Sequence, residues 1–338
     1  MIIATLPTHT REIHLASRPE GWPELANFTL VETALPDLED GEVLVANRYM
    51  SVDPYMRGRM NDGKSYVSPF QIGEPLEGAA TGEVLASSCP DVPVGVTVLH
   101  HRGWREHAVV SGATVKIVDP ALAPESAFLG ALGMTGLTAY AGLMYAAKFT
   151  DGDIVFVSGA AGAVGSLVGQ IAKASGASRV LGSAGSPDKV ARILELGFDA
   201  GFNYHDGPVV DLLKEVAPQG IDVYFDNVGG EHLEAAISVL NTHGRVAMCG
   251  AISQYNATEP SPAPRNLGTV IGKQLTLQGF LVGMYADKAE EFAQKMAGWL
   301  ADGSITWDET VRDGLENAPA AFIELLRGGN TGKMVVRL

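Results

Sequence analysis

Cysteine is almost missing from this chain: Cys89 and Cys249 are the only two among 338 residues, far apart and in different contexts. Two thiols cannot build a disulfide framework or a four-cysteine zinc lobe, and their scarcity fits a reducing, cytoplasmic setting. Both read as small buried hydrophobes. Basic residues are scarce as well, 24 Lys and Arg against 39 Asp and Glu, for a formal charge of −15. That balance argues against nucleic acid and against an anionic membrane surface, so any bound anion must meet a local positive site. No run approaches the roughly 18 apolar residues of a membrane helix. The stretch Met1 to Arg11 lacks the charged region and long apolar segment of a secretory signal. Internal repeats and low-complexity tracts are also missing.

What is present is an ordinary globular composition, 46% apolar and 19% charged, long enough for two domains. Up to about Pro124, short β-like runs such as Glu42 to Arg48 and Ala80 to Leu85 are broken by Gly and Pro, which predicts a mostly β domain. From about Ala127 helix and strand patterns alternate, the signature of a parallel sheet covered on both faces. After a glycine turn a helix is expected to about Ser175. Strands are expected at 179–183, 200–204, 221–225, 245–249 and 275–280. Ser186-Pro187 supplies an N-cap and a first-turn proline for a helix from Asp188 to Leu196, which Gly197 ends. A further helix is expected over 287–300. The tail 332–338 reads as a strand returning to the first domain. The expected division is therefore 128–300 for the α/β domain, with 1–127 and 301–338 forming the mostly β domain.

The glycine turn is the pivotal stretch. Asp153 to Val157 is an apolar strand, Ser158 to Gly162 a small-residue turn, and Ala163 onward helix-like. In a βαβ unit such a turn leaves unpaired N–H groups at a helix N-terminus, where pyrophosphate binds. Gly162 allows close approach of the phosphates and Gly165 allows the helix to pack on the strand. Ala160 replaces the first glycine of G-x-G-x-x-G, so the match is partial. An NAD-binding unit carries an acid about 20 residues on, for the ribose hydroxyls. Here the second strand runs into Gly182-Ser183-Ala184-Gly185-Ser186, and Lys189 follows. Ser186 and Lys189 thus point to a 2′-phosphate site and to NADP(H). A solvated helix lysine is the other reading of Lys189.

Several motifs then converge on a family: Met50-Ser51-Val52-Asp53-Pro54-Tyr55-Met56-Arg57, Gly133 to Tyr140, Ala160 to Gly165, Phe225-Asp226-Asn227-Val228-Gly229-Gly230, and Cys249 to Asn256. Over nearly its whole length the chain resembles the zinc-independent medium-chain dehydrogenase/reductases, in the branch of prostaglandin reductases and alkenal or enone double-bond reductases. Thr135, where proline is common, is a minor departure. The resemblance implies a Rossmann doubly wound domain beside a GroES-like, mostly β substrate domain. It also implies that Gly162, Ala163, Val164 and Gly165 hold the pyrophosphate, while Lys189 and Tyr204 contact the 2′-phosphate. Asn227 would sit near the ribose or nicotinamide. Cys249, Gly250, Ala251, Ile252, Ser253 and Tyr255 would line the cofactor, and Phe280, Leu281, Val282 and Asn330 would close over its nicotinamide end. A homodimer formed through the nucleotide domain is implied in the same way. Tyr204 reads equally well as an aromatic packing at a strand end.

Zinc alcohol dehydrogenases need three protein ligands, and the stretch where they carry Gly-His-Glu reads Gly73-Glu74-Pro75-Leu76-Glu77-Gly78 here. His100 and His101, adjacent on a β-like segment, point to opposite faces. No metal is expected. The expected reaction is reduction of the carbon–carbon double bond of an α,β-unsaturated ketone or aldehyde, with hydride going to the β-carbon. Tyr255 is the candidate to stabilise, and to protonate, the enolate; packing beside the cofactor with protonation by water is its alternative. Tyr55 and Met134 are candidate walls for the electrophilic alkene substrate. Arg57 reads as a structural partner or as an attractor of an acidic substrate tail. Two other functions remain open on the sequence: NADPH:quinone reduction, and a non-catalytic NADPH-binding protein.

Overall fold

A computed structural model of the chain describes residues 5–338; Met1 to Ala4, part of the stretch read above for a leader, lie outside it. The described chain forms two compact units, one of residues 131–309 with 330–333, the other of 5–130, 310–329 and 334–338.

The first unit is built on six strands: Ile154–Val157, Arg179–Ala184, Ala200–Asn203, Ile221–Asp226, Leu240–Met248 and Thr276–Gly279. Counted along the chain, they lie in the order three-two-one-four-five-six, and every neighbouring pair is parallel. This is the doubly wound order, whose switch point falls between the first and fourth strands. The two-residue period of each strand sorts its side chains onto opposite faces. Val155, Val157, Val223 and Phe225 join one buried cluster with the helix Ala163–Ala174. Phe156 and Tyr224 enter the other, under the helices Val209–Val216 and Gly230–Val239. Each fully buried aromatic or branched side chain contributes about 1.5–3 kcal/mol, so both faces are firmly covered. Gly169 and Gly142 sit where no Cβ fits, against the rings of Phe198 and of Phe225 and Phe280 respectively.

The helix from Ala163 ends at the Ser175 C-cap, as the sequence predicts. Ser186 caps the helix Pro187–Glu195 with its hydroxyl, and Gly197 follows at φ +94°. The fifth strand starts at Leu240, earlier than expected, because Asn241 and Thr242 continue it ahead of the apolar run. The helix expected over 287–300 is Ala289–Ala301, preceded by a 3-10 segment Val282–Lys288.

In the second unit a mostly antiparallel sheet contains Glu42–Ser51, Ala80–Ser87, Thr97–His100, His107–Ser111 and Lys116–Val118. The tail strand Lys333–Arg337 joins it, with Val335 opposite Ser51. A separate hairpin pairs His9–Leu15 with Phe28–Ala34. The core is held by mutual packing of Phe28, Trp104 and Phe322, whose ring centroids lie 6.2–6.3 Å apart. Phe322 comes from the helix Ala318–Leu326, which the sequence pattern did not single out.

Candidate active site

The glycine turn lies at the end of the first strand, on the switch-point side of the sheet. Gly159 takes φ +60°, the left-handed region that lets the chain reverse tightly. Ala160 N–H donates to Ser183 O at 2.9 Å and Gly162 N–H to Gly159 O at 3.0 Å. Gly162 then caps the helix with no side chain, leaving the first N–H groups, at Ala163, Val164 and Gly165, without intrahelical acceptors. A Cβ on Gly165 would stand 2.9 Å from Ala160 Cα and closer still to Gly159 O, so helix and turn touch through backbone alone. Gly332 N–H donates to Ala161 O at 2.8 Å and backs the turn from the other side. Asn330, buried, holds that segment by donating from Nδ2 to Gly332 O at 2.7 Å.

At the end of the second strand no acid is present, and Tyr204 reaches over Gly185. A Cβ at Gly185 would lie 2.8 Å from the Tyr204 hydroxyl oxygen. Tyr204 packs on His205 and edge-on to His232, at centroid distances of 4.3 and 5.3 Å. Lys189 follows Ser186 by one turn, and its N–H donates to Ser186 Oγ at 3.3 Å. Burial holds the Lys189 ammonium below the ordinary lysine range. A nearby phosphate would reverse that shift, since it compensates the lost hydration.

Across the switch point, Asn227 is fixed twice to the first strand's end: its N–H donates to Ser158 Oγ at 3.0 Å and its Nδ2 to Ser158 O at 2.8 Å. The amide therefore points its nitrogen inward. Asp226, fully buried, supports the loop: its Oδ1 accepts from Tyr224 Oη at 2.7 Å, Gly229 N at 2.7 Å and Val228 N at 3.0 Å. Its Oδ2 is buried without a partner. Burial pushes the Asp226 carboxyl up, against the pull of those donors. This network of Ser158, Tyr224 and Asp226 was not singled out from the sequence. Its one signal was the polar pair Asp226-Asn227 at the end of an apolar strand.

The segment after the fifth strand folds over the same end of the sheet. Cys249 and Gly250 donate to Asp226 O at 2.9 and 3.0 Å, Ile252 to Asn227 O at 3.3 Å, and Ser253 Oγ to Val228 O at 2.6 Å. Burial, with Asp226 adding to it, pushes the Cys249 thiol up to about 12, so it is an unreactive wall. Tyr255 turns back on this segment. Its hydroxyl accepts the Ala251 N–H at 3.4 Å and lies 3.2 Å from where a Gly250 Cβ would be. That contact uses an acceptor site of the phenol and not its proton. Phe280 is buried edge-on to Phe225, while Leu281 is exposed and Val282 half-buried. Met134, exposed, opens the helix Met134–Ala141.

In the other unit Tyr55 is half-buried before the short helix Met56–Arg59; burial, then Asp53, raises its hydroxyl above the ordinary tyrosine range. Arg57 is buried and donates to Gly21 O at 2.7 Å and Asn61 Oδ1 at 2.7 Å. It is a structural clamp for the 19–21 segment. His100, also buried, donates from Nε2 to Asn47 Oδ1 at 2.8 Å and accepts Arg102 N–H on Nδ1 at 3.0 Å. Among the described residues no three His, Cys, Asp or Glu side chains are grouped so as to hold a metal ion.

A doubly wound parallel sheet with a glycine turn and a fixed asparagine at its switch point defines a dinucleotide-binding oxidoreductase. Comparison with known proteins agrees. A family model described as the N-terminal domain of oxidoreductase matches residues 11–118, and one described as zinc-binding dehydrogenase matches 163–302. The chain is 42% identical to the NADPH-dependent curcumin reductase of Escherichia coli, over 96% of this chain and 95% of the relative. It is also 42% identical to prostaglandin reductase 1 of Bos taurus, over 97% and 99%. The crystal structure of CurA from Vibrio vulnificus in complex with NADPH superposes with a TM-score of 0.92 at 42% identity, covering 97% of this chain and 98% of that one. The chain belongs to the medium-chain dehydrogenase/reductase family, in the branch of the prostaglandin and curcumin reductases.

Proposed function

We propose that the protein is an NADPH-dependent reductase of the carbon–carbon double bond of α,β-unsaturated ketones and aldehydes. The observation that carries this reading is full-length identity of 42% to a curcumin reductase and a prostaglandin reductase, over a site whose parts fit the cofactor. The fit is physical: a helix N-terminus with bare N–H groups, a strand end that carries no acid and is met by Tyr204, and a lysine whose burial favours an anionic partner.

In this reading Gly162, Ala163, Val164 and Gly165 hold the pyrophosphate, and Ser186, Lys189 and Tyr204 take the 2′-phosphate. Asn227, with its nitrogen committed to Ser158, offers its amide oxygen to a ribose hydroxyl or the carboxamide. Cys249, Gly250, Ala251, Ile252 and Ser253 form an uncharged wall, with Phe280, Leu281, Val282 and Asn330 at the nicotinamide end. When bound, NADPH supplies a hydride to the β-carbon of the enone. The negative charge that then gathers on the carbonyl oxygen needs a donor, and Tyr255 provides its phenol proton as a hydrogen bond and as the proton source. Tyr55 and Met134 contact the substrate, and the unit of Tyr55 is the substrate domain. We place the protein in the cytoplasm as a homodimer. The exposed edge of the parallel sheet at Thr276–Gly279, next to the 82%-exposed Ile271, supports the dimer.

Parallel assays of NADPH oxidation with an alkenal, an enone and a quinone test the reading. Turnover of the first two, with a saturated carbonyl as product, is expected. Turnover of the quinone alone would replace this reading with quinone reduction, and tight NADPH binding without any turnover would leave a binding protein.

A further inference from the structure

The helix Pro187–Glu195, which carries Lys189, fully buries Ile193 and packs Val190 against the same core, so one face is held by apolar contact. A polar tie is added at its exposed side. Arg192, one turn beyond Lys189, donates from Nε to Asp308 Oδ2 at 2.8 Å and from Nη2 to Asp308 Oδ1 at 2.9 Å. Its Nη1 donates to Glu195 Oε2 at 2.8 Å. The whole guanidinium is thus committed to carboxylates, and a two-pronged pair of this kind fixes direction as well as distance.

The main chain of Asp308 holds something else. Lys333 N–H donates to Asp308 O at 2.8 Å, and Gly332, at φ +65°, lies so close that any Cβ there would run into the Asp308 carbonyl. Gly332 in turn forms a parallel bridge with Gly162 and donates to Ala161 O at 2.8 Å. The segment before Asp308 is pinned as well, because Gln170 exchanges hydrogen bonds with Thr306 N and Thr306 O at 2.8 and 3.0 Å. One residue therefore ties the lysine-bearing helix, through its side chain, to the backing of the glycine turn, through its backbone.

We propose that Asp308 is a positioning residue for cofactor choice: its pair with Arg192 sets the spacing between Lys189 and the pyrophosphate turn at which a 2′-phosphate is met. The inference rests on the NADPH reading above. Asp308 does not touch the cofactor; it acts through Arg192 and the helix.

The test uses the full chain with Asp308→Ala, Lys189→Ala and the exchanged pair Arg192→Asp with Asp308→Arg. KM and kcat with NADPH and with NADH are measured, together with the thermal midpoint. For Asp308→Ala the expected result is an NADPH KM raised roughly five- to tenfold, as loss of a charge-assisted pair allows, with NADH KM and kcat unchanged. The exchanged pair should recover part of the loss. If Asp308→Ala does not fold, the same ratio measured on Asp308→Asn decides. A fall in thermal midpoint with an unaltered ratio of NADPH to NADH KM would overturn the proposal, as would equal rises in both. Should the unaltered protein show no NADPH preference, or Lys189→Ala leave that preference intact, the 2′-phosphate reading itself fails. If Lys189→Ala abolishes the preference and Asp308→Ala spares it, only the positioning role fails.

Discussion

Replacing Lys189 by Ala separates a cofactor contact from a structural role, because the two roles use different atoms. The cap of its helix is made by the Lys189 main-chain N–H on Ser186 Oγ, which alanine keeps. Burial holds the ammonium below the ordinary lysine range, so it meets a 2′-phosphate already stripped of part of its water. What alanine removes is the charge-assisted contact with a 2′-phosphate, about 1.5–3 kcal/mol. At about 1.4 kcal/mol per decade, this corresponds to a loss of roughly ten- to 150-fold in kcat/KM for NADPH. NADH, which lacks the phosphate, should be used as before, and Lys189→Arg should keep most of the NADPH preference. Steady-state kinetics with both cofactors on one enone measure the difference. An equal fall for NADPH and NADH would refute the assignment of the phosphate to Lys189.

Tyr255→Phe keeps the ring beside Gly250 but removes the proton. Turnover of an enone should fall by about 100-fold with NADPH affinity little changed, and unaltered turnover across pH would assign protonation to water. Gly165→Ala puts a methyl against the backbone of Gly159 and Ala160, which cannot yield without moving the helix. A loss of about 1–3 kcal/mol in stability and weaker NADPH binding are expected, read by denaturant titration and by fluorescence. Acid should destabilise the fold through two buried histidines. Burial lowers His100 to about 3 and His232 to about 4, from an ordinary 6.5. Because both folded values are depressed, their contribution is complete above pH 6.5 and is lost as pH falls toward 3 to 4, roughly 3–5 kcal/mol each. Urea midpoints between pH 7 and pH 4 should drop steeply, and His232→Gln should flatten the slope.

The fold was legible because its determinants are local. Apolar runs, the Ser186-Pro187 start and the Gly197 stop lie within a few residues of the elements they define, and they place the strands and helices that form the parallel sheet. The glycine turn was legible for the same reason. Long-range pairings were not. Nothing near Gly185 announces that Tyr204 lies against it, since the two meet only when the second and third strands pair. The support of Asn227 by Ser158 links residues 69 positions apart, and Asp308 reaches Arg192 over 116. Ser158, Arg192 and Asp308 look like ordinary surface or turn polar groups until the chain is folded. The helix Ala318–Leu326 escaped notice because its apolar residues run almost all round it, leaving little periodic contrast.

The central claim is hydride delivery to the β-carbon, and isotope transfer tests it directly. Benzylideneacetone is incubated with the protein and with NADPH deuterated at the transferable position of the nicotinamide. The expected product is the saturated ketone with deuterium on the β-carbon. An allylic alcohol with deuterium on the carbinol carbon, or a saturated ketone without label, would contradict it.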